Sequence, residues 1–347
     1  MSERNQMTRR RLLLALPALS ALPQSLGQAR RSMIPVRKLN HITLHVSDVK
    51  QSREFYQGLF GFALQNTQGN SAGLRIGSGP QHLGLSPAGS GKKPEIDHYC
   101  LSLDHFKVDA VLNSLAEHGV TRAESASTDP LKVWVRVRRE DSGGSEKGTP
   151  ELYFTDPAGI RVQLQDTTYC GGAGDLGNIC SANPTPAPTL GLIAVCDLSH
   201  VTSLVVDQQR AIAFHRAIFG MRTQAFQGTT PMLALGAGPQ FVAFFGATGP
   251  GASSRAPFIT HACLTMDNFN PEKVLKTLAQ FGVKPRGDVT GPTPPLVAWV
   301  RTRGEEDGGA KEGTPELYFT DPDSITMQLQ DTRYCGGSGP RGEVCKA

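Results

Sequence analysis

The sequence predicts an α+β protein built of tandem βαβββ modules, two per domain in two domains, with mixed sheets curled around a cavity. Three observations carry that prediction: a long segment that occurs twice, one order of strand and helix patterns in each copy, and a polar strand face kept in both. Gly148 to Asp166 reads GTPELYFTDPAGIRVQLQD and Gly313 to Asp331 reads GTPELYFTDPDSITMQLQD, 165 positions apart, and Tyr-Cys-Gly-Gly follows each. In both copies an apolar run leads into Thr-Asp-Pro, where proline presets the turn and the aspartate can bond its backbone. The returning strand puts Ile160, Val162 and Leu164 on one face and Arg161, Gln163 and Gln165 on the other. Ile325, Met327 and Leu329 repeat this against Thr326, Gln328 and Gln330.

In chain order, His41 to Val46 alternates as a strand, and Asp48 caps a helix from about Val49 to Phe60 that Gly61 ends. Short strands follow near Leu74 to Ile76 and His82 to Leu85. A second unit opens at Asp97 to Leu103, continues as a helix over roughly Phe106 to His118, and closes with a strand at Lys132 to Arg138 and the repeated hairpin. Residues 181–195, with the run SANPTPAPT, have the composition of an extended linker. The pattern then restarts at His200 to Val206, and His261 to Met266 opens its second half. These boundaries predict a first domain over 38–180 and a second over 196–347. A module of this size cannot bury its own sheet, so modules must pair.

Residues 1–29 read as an export signal. Arg9-Arg10-Arg11-Leu12-Leu13 is a twin-arginine pattern before an apolar stretch too short to span a bilayer, and Gly27-Gln28-Ala29 offers small residues for cleavage. Periplasmic or secreted localisation follows as an expectation, with no stable membrane anchor. The formal charge of +4 falls to about +1 without that segment, which gives no basic face for nucleic acid. Cys170 and Cys180, and again Cys335 and Cys345, lie ten apart after each Tyr-Cys-Gly-Gly start, so two local disulfides are expected in an oxidising compartment.

His-x-x-Leu-x-Val-x-Asp before an amphipathic helix ending in Phe-Gly-Phe, a second His-led strand some sixty residues on, and the final Asp-Pro-x-Gly hairpin resemble the vicinal oxygen chelate superfamily. That class includes lactoylglutathione lyases, bleomycin-resistance proteins and extradiol dioxygenases. The resemblance implies metal ligands at His41, His98 and Gln163, and at His200, His261 and Gln328. Both domains carry glutamine where a dioxygenase of this kind has glutamate, so each centre would be one negative charge short. Glu151 and Glu316, on the same strand face as Tyr153 and Tyr318, are placed to supply the missing carboxylates.

Those tyrosines, ten positions before the glutamines, match an active-site tyrosine of the extradiol enzymes. Arg136 and Arg301, with Gln165 and Gln330, are expected to meet substrate. His45, His82, His105, His118 and His215 have no counterpart in the other copy and fall outside the predicted site. The resemblance therefore implies an Fe(II)- or Mn(II)-dependent enzyme, most like an extradiol dioxygenase, acting on a small phenolic or vicinal-dioxygen substrate. A metal-free ligand-sequestering protein and a metal-dependent lyase or isomerase stay open. Both domains keep the same residue set, so two sites per chain, or one site and a duplicate, are both consistent with the sequence.

Overall fold

The computed structural model describes residues 33–181, 183–248, 257–288 and 291–339. The predicted export signal and Cys345 lie outside these. In the first domain the chain runs β1 (Val36–Val46), α1 (Val49–Phe60), β2 (Leu64–Gln68), β3 (Ser71–Arg75), β4 (His82–Pro87), β5 (Glu95–Leu103), α2 (Val108–Glu117), β6 (Thr121–Arg122), β7 (Lys132–Arg138), β8 (Thr149–Thr155) and β9 (Arg161–Asp166). The second repeats it as β10 (Asp197–Val205), α3 (Gln208–Phe219), β11 (Thr223–Gln227), β12 (Thr230–Ala234), β13 (Phe241–Gly246), β14 (Phe258–Met266), α4 (Pro271–Gln280), β15 (Lys284–Pro285), β16 (Val297–Arg303), β17 (Thr314–Thr320) and β18 (Thr326–Asp331).

Each domain is one nine-stranded mixed sheet, ordered β2-β3-β4-β1-β5-β9-β8-β7-β6 in the first and β11-β12-β13-β10-β14-β18-β17-β16-β15 in the second. The first strands of the two modules, β1 and β5, pair antiparallel at the centre. Each has the last strand of its own module as a parallel neighbour on the other side, β4 beside β1 and β9 beside β5. The second module of each domain differs from the expected βαβββ order by one added two-residue strand, β6 or β15, which pairs parallel with the strand that follows it.

Local chemistry sets the helix ends. The Asp48 carboxylate accepts from the backbone N–H groups of Lys50 and Gln51, occupying donors that have no partner inside α1. Gly61 takes the left-handed conformation at φ 69°, which glycine adopts without the penalty of a Cβ. Asp207 and Gly220 do the same for α3.

The strand faces away from the cavity form the shared core. Ile42, Leu44, Tyr99, Leu101 and Phe154 are fully buried there, as are Phe319 and Leu264 of the second sheet. The helices cross between domains: Phe55 and Phe60 of α1 pack on Phe319 of β17, and Phe214 and Phe219 of α3 pack on Phe154 of β8. The Tyr56 hydroxyl donates to Asp321 of the second domain at 3.1 Å. On the first domain, the linker residue Thr185 bridges Leu64, and the N–H groups of Leu192 and Ile193 donate to the carbonyl of Leu59.

Candidate active site

On β1, His41, Thr43 and His45 sit two residues apart and so share the polar face of the strand. His98 on β5, Tyr153 on β8 and Gln163 on β9 point to the same side, and the face encloses a cavity of about 580 Å³. Because every strand of this sheet except the short edge strand β6 contributes to that wall, the sheet curls around it.

Gln163 and the two imidazoles converge. The Oε1 atom of Gln163 lies 3.0 Å from Nε2 of His41 and 3.0 Å from Nε2 of His98. All three residues are at most 6% exposed. The far side of each ring fixes its tautomer. The Asn40 amide N–H donates to the carbonyl of Tyr169 at 2.7 Å, which leaves its oxygen to accept from Nδ1–H of His41 at 2.8 Å. His98 Nδ1–H donates to Asp97 at 2.6 Å. Burial and the neighbouring His82 and His98 hold His41 neutral, well below the usual imidazole range. Although burial works to raise the Asp97 carboxyl, His98, Arg161 and His45 hold it far below its ordinary range.

With Nδ1 as the donor, each Nε2 presents its lone pair toward the amide oxygen. Three electron-rich atoms then face one point, while Nε2 of Gln163 is buried without a hydrogen-bond partner. Two arrangements relieve this. A divalent cation can take all three lone pairs, a donor set that suits Fe(II) or Mn(II). Alternatively the amide can turn, so that its two N–H groups donate one to each ring. The residues present therefore fit a metal, and they also permit a metal-free state.

The second domain repeats the set. His200 Nε2 lies 3.0 Å from Oε1 of Gln328, the rings of His200 and His261 are 5.5 Å apart, and Gln328 Nε2 is again buried and unpartnered. Thr260 donates its hydroxyl hydrogen to the carbonyl of Thr202 and so accepts from Nδ1–H of His261. Burial lowers His261 to about 4.

Glu151 and Glu316 are not free carboxylates. Glu151 is fully buried and accepts from Nε of Arg138 at 2.9 Å, Nε of Arg136 at 2.7 Å and the hydroxyl of Tyr169 at 2.7 Å. Glu316 accepts from Nε of Arg303 at 2.9 Å and the hydroxyl of Tyr334 at 2.9 Å. The expectation that they replace the missing ligand carboxylates is corrected: their charge is spent on arginine, because a buried carboxylate needs a nearby cation.

The Tyr153 hydroxyl lies 3.4 Å from Glu151, and its ring stands edge-on to His98 with centroids 5.3 Å apart. Burial and then the Glu151 charge push its pKa well above the usual tyrosine value, so the phenol keeps its proton. In the second domain Tyr318 occupies the same place beside Glu316 and His261. Arg136 reaches the cavity with a half-exposed side chain, over the ring of Tyr153. Arg301 is exposed and lies 3.9 Å from Asp307. Gln165 and Gln330 stand apart from both centres, buried and donating to the carbonyls of Pro150 and Pro315. The Cys170–Cys180 disulfide forms with Cα atoms 6.2 Å apart.

Two cavity residues escaped sequence reasoning. His82 stacks on His41, with centroids 4.4 Å apart and planes at 21°. Its Nδ1–H donates to the carbonyl of Pro80 at 3.2 Å, and burial lowers its pKa to about 4, so it is neutral with a free Nε2 lone pair. His45 lies 3.4 Å from Asp97. Neither has a histidine counterpart in the second copy, where Leu204 and Phe241 hold the matching positions. The available signal was their spacing from His41, two positions apart on β1 for His45 and directly paired across β1 and β4 for His82.

Residues 38–164 match the family described as the Glyoxalase/Bleomycin resistance protein/Dioxygenase superfamily. A catechol-2,3-dioxygenase of Bacillus subtilis (strain 168) is 27% identical over 125 residues, covering 33% of this chain and 44% of that protein, so the match spans under half of the relative's length. The Mn(II)-bound glyoxalase from Novosphingobium aromaticivorans superposes with a TM-score of 0.57 at 16% identity, covering 86% of this chain and 83% of that one. The 2,3-dioxygenase LapB from Pseudomonas sp. KL28 gives 0.57 at 18% identity, covering 89% and 95%. At such identity these two likenesses speak for the fold. The family match thus covers the first domain, residues 38–164, and the second domain repeats the strand order of that stretch.

Proposed function

We propose that this chain is an exported, divalent-metal-dependent enzyme of the extradiol dioxygenase kind, acting on an aromatic substrate with two adjacent oxygens. One observation carries the reading: an open cavity in which two imidazole nitrogens with fixed tautomers and an amide oxygen meet at one point. The catechol-2,3-dioxygenase relative supports it. His41, His98 and Gln163 would hold the metal, Fe(II) or Mn(II), which when bound supplies Lewis acidity that favours the deprotonated form of a phenol.

The chain's own residues supply the rest. Trp134 stacks on Tyr153 at 5.7 Å and 11°, giving the cavity a flat wall for an aromatic ring. The free Nε2 of His82 accepts a proton from a substrate hydroxyl, and the Tyr153 O–H, held protonated, donates a hydrogen bond to developing oxygen charge. Arg136 at the rim takes an acidic substituent. Export, proposed from the twin-arginine pattern, suits a protein that folds around a metal before crossing the membrane.

Oxygen uptake by the Fe(II)- or Mn(II)-loaded chain with a series of catechols tests this. Uptake that requires both metal and the adjacent hydroxyls is the expected result, and binding of catechol without uptake would overturn it. The unpartnered Nε2 of Gln163, which turning the amide would satisfy, favours one competitor, a metal-free ligand-binding protein, which tight catechol binding by the metal-stripped chain would establish.

A further inference from the structure

The segment after β9, residues 169–180, spans a gap that the sheet itself leaves open. Strand β2 is one edge of the first sheet and β7 lies next to the other edge, so no ladder joins them. The segment bonds to both sides. Gln65 and Asn66 of β2 donate to the carbonyl of Cys170 at 3.0 and 2.7 Å, and Gln68 donates to that of Gly171 at 3.1 Å. Opposite them, Arg138 of β7 donates to the carbonyl of Gly172 at 3.0 Å, Thr149 of β8 donates to that of Gly174 at 2.7 Å, and the Tyr169 hydroxyl donates to Glu151 of β8. The curl of the sheet is thereby tied across its gap.

Two of these links run on to imidazoles. The Tyr169 carbonyl accepts from the Asn40 amide, whose oxygen accepts from Nδ1–H of His41. Gln65 donates its other amide hydrogen to the Pro80 carbonyl at 3.1 Å, the same oxygen that accepts from Nδ1–H of His82. The buried Tyr169 ring lies 5.7 Å from that of His41 and 6.2 Å from that of His82. Gly177, at φ 65° on the returning limb, is pressed against this ring, where a Cβ would come within 2.6 Å of Cε2. The second domain keeps the frame, with Gln224 donating to the carbonyls of Cys335 and Pro239 at 3.0 and 2.6 Å. It lacks the links to the rings: Ser199 precedes His200 where Asn40 precedes His41, and Phe241 replaces His82.

Little else holds the segment in shape. It contains no helix or strand, its limbs meet at the isolated bridge between Ala173 and Ile179, and Ile179 is 65% exposed. The Cys170–Cys180 disulfide closes it and so restricts the conformations open to it.

We propose that this disulfide-closed strap positions the first centre: it holds the two sides of the sheet together and, through Asn40 and Gln65, sets the rings of His41 and His82. The consequence for metal affinity rests on the metal dependence proposed above. The setting of the rings does not.

The test compares the whole chain with Cys170→Ser/Cys180→Ser, which leaves Cys335 and Cys345 untouched, and with Asn40→Ala. Nitrogen-15 NMR of the metal-free wild type is expected to show the His41 proton on Nδ1 alone, and each variant a mixture of both tautomers at His41, with His200 unchanged throughout. Titrated with Mn(II) alone, each variant should bind about 10–100-fold more weakly at one centre, the usual loss when a group that orients a metal-binding imidazole is removed. If the serine variant does not fold, the wild-type His41 spectrum before and after mild reduction by a dithiol makes the comparison. A single His41 tautomer in all of these proteins would overturn the proposal, and so would a mixture confined to Asn40→Ala, which would leave the disulfide no part in it. The tautomer change without any Mn(II) binding would support the strap while refuting the metal reading.

Discussion

The imidazole of His82 lies flat against that of His41, 4.4 Å away, with its Nε2 unprotonated and its Nδ1–H spent on the Pro80 carbonyl. A neutral base is thereby held beside the candidate metal centre without being part of it. His82→Phe, which copies the second domain, is expected to keep manganese content and fold while turnover falls by about 10²–10⁴-fold, the usual worth of a positioned general base. Parallel kinetics and elemental analysis check this. An unchanged kcat would remove His82 from the mechanism.

Gln163→Glu should tighten metal binding by at least about tenfold, because the centre regains a charge-assisted ligand worth roughly 1.4 kcal/mol or more. It should also unsettle the metal-free protein. Wild-type Gln163 can turn and donate to both imidazoles, and a carboxylate cannot. The metal-free variant is therefore expected to melt below the metal-free wild type, and the metal-loaded variant to gain more on loading. Calorimetric melting of the four samples measures this, and equal melting of the two metal-free proteins would contradict the turned amide.

Glu151 anchors Arg136, Arg138 and Tyr169 in the cavity wall. Burial works to raise its pKa, but the two guanidinium groups bring it below the ordinary range. Glu151→Gln leaves Arg138, itself 4% exposed, as an uncompensated buried charge. The expected cost is about 3–5 kcal/mol in urea unfolding, with manganese content per folded chain unchanged. Lost metal at unchanged stability would instead make Glu151 a ligand.

Asp156 and Asp321 sit in the two Thr-Asp-Pro turns, fully buried, and burial pushes each carboxyl up to about 7. In the unfolded chain both ionise near 4. Below that pH the two states bind the same protons and the groups are neutral in effect. Between about pH 4 and 7 the unfolded state releases protons that the folded state keeps, so stability falls as pH rises through this window and levels off above it. Asp156 Oδ1 accepts from the N–H groups of Ala158 and Ile160, while Oδ2 has no partner. Asp156→Asn keeps the accepting oxygen and removes the titration. It should therefore flatten part of the slope and raise the melting temperature at pH 8 relative to wild type.

The sequence displayed its scaffold well, because scaffold is what the two copies share. Asp48 and Gly61 bracket α1 at the predicted residues, and the strand over Lys132 to Arg138 needed only its alternation. Strand β2, Leu64–Gln68, went unread because LQNTQ has no apolar alternation and is held by its pairing with β3. The convergence of His41, His98 and Gln163 was visible through the resemblance. His82 and His45 were not, since repetition marks only what both copies keep, and the second copy has Phe241 and Leu204 in their places. Glu151 was misjudged for another reason: spacing placed it on the right face, but only packing reveals that two arginines already claim it.

The crossing of α1 onto Phe319 and of α3 onto Phe154 bears on how this chain can be handled. A fragment cut to the family-matched stretch, residues 38–164, would leave Phe55, Phe60 and Phe154 with their partners missing. Such a piece should come out insoluble or paired with itself, as a homodimer in which a second fragment supplies the absent helix. What duplication produced has thus become a single inseparable unit, and each half serves as part of the other's interior.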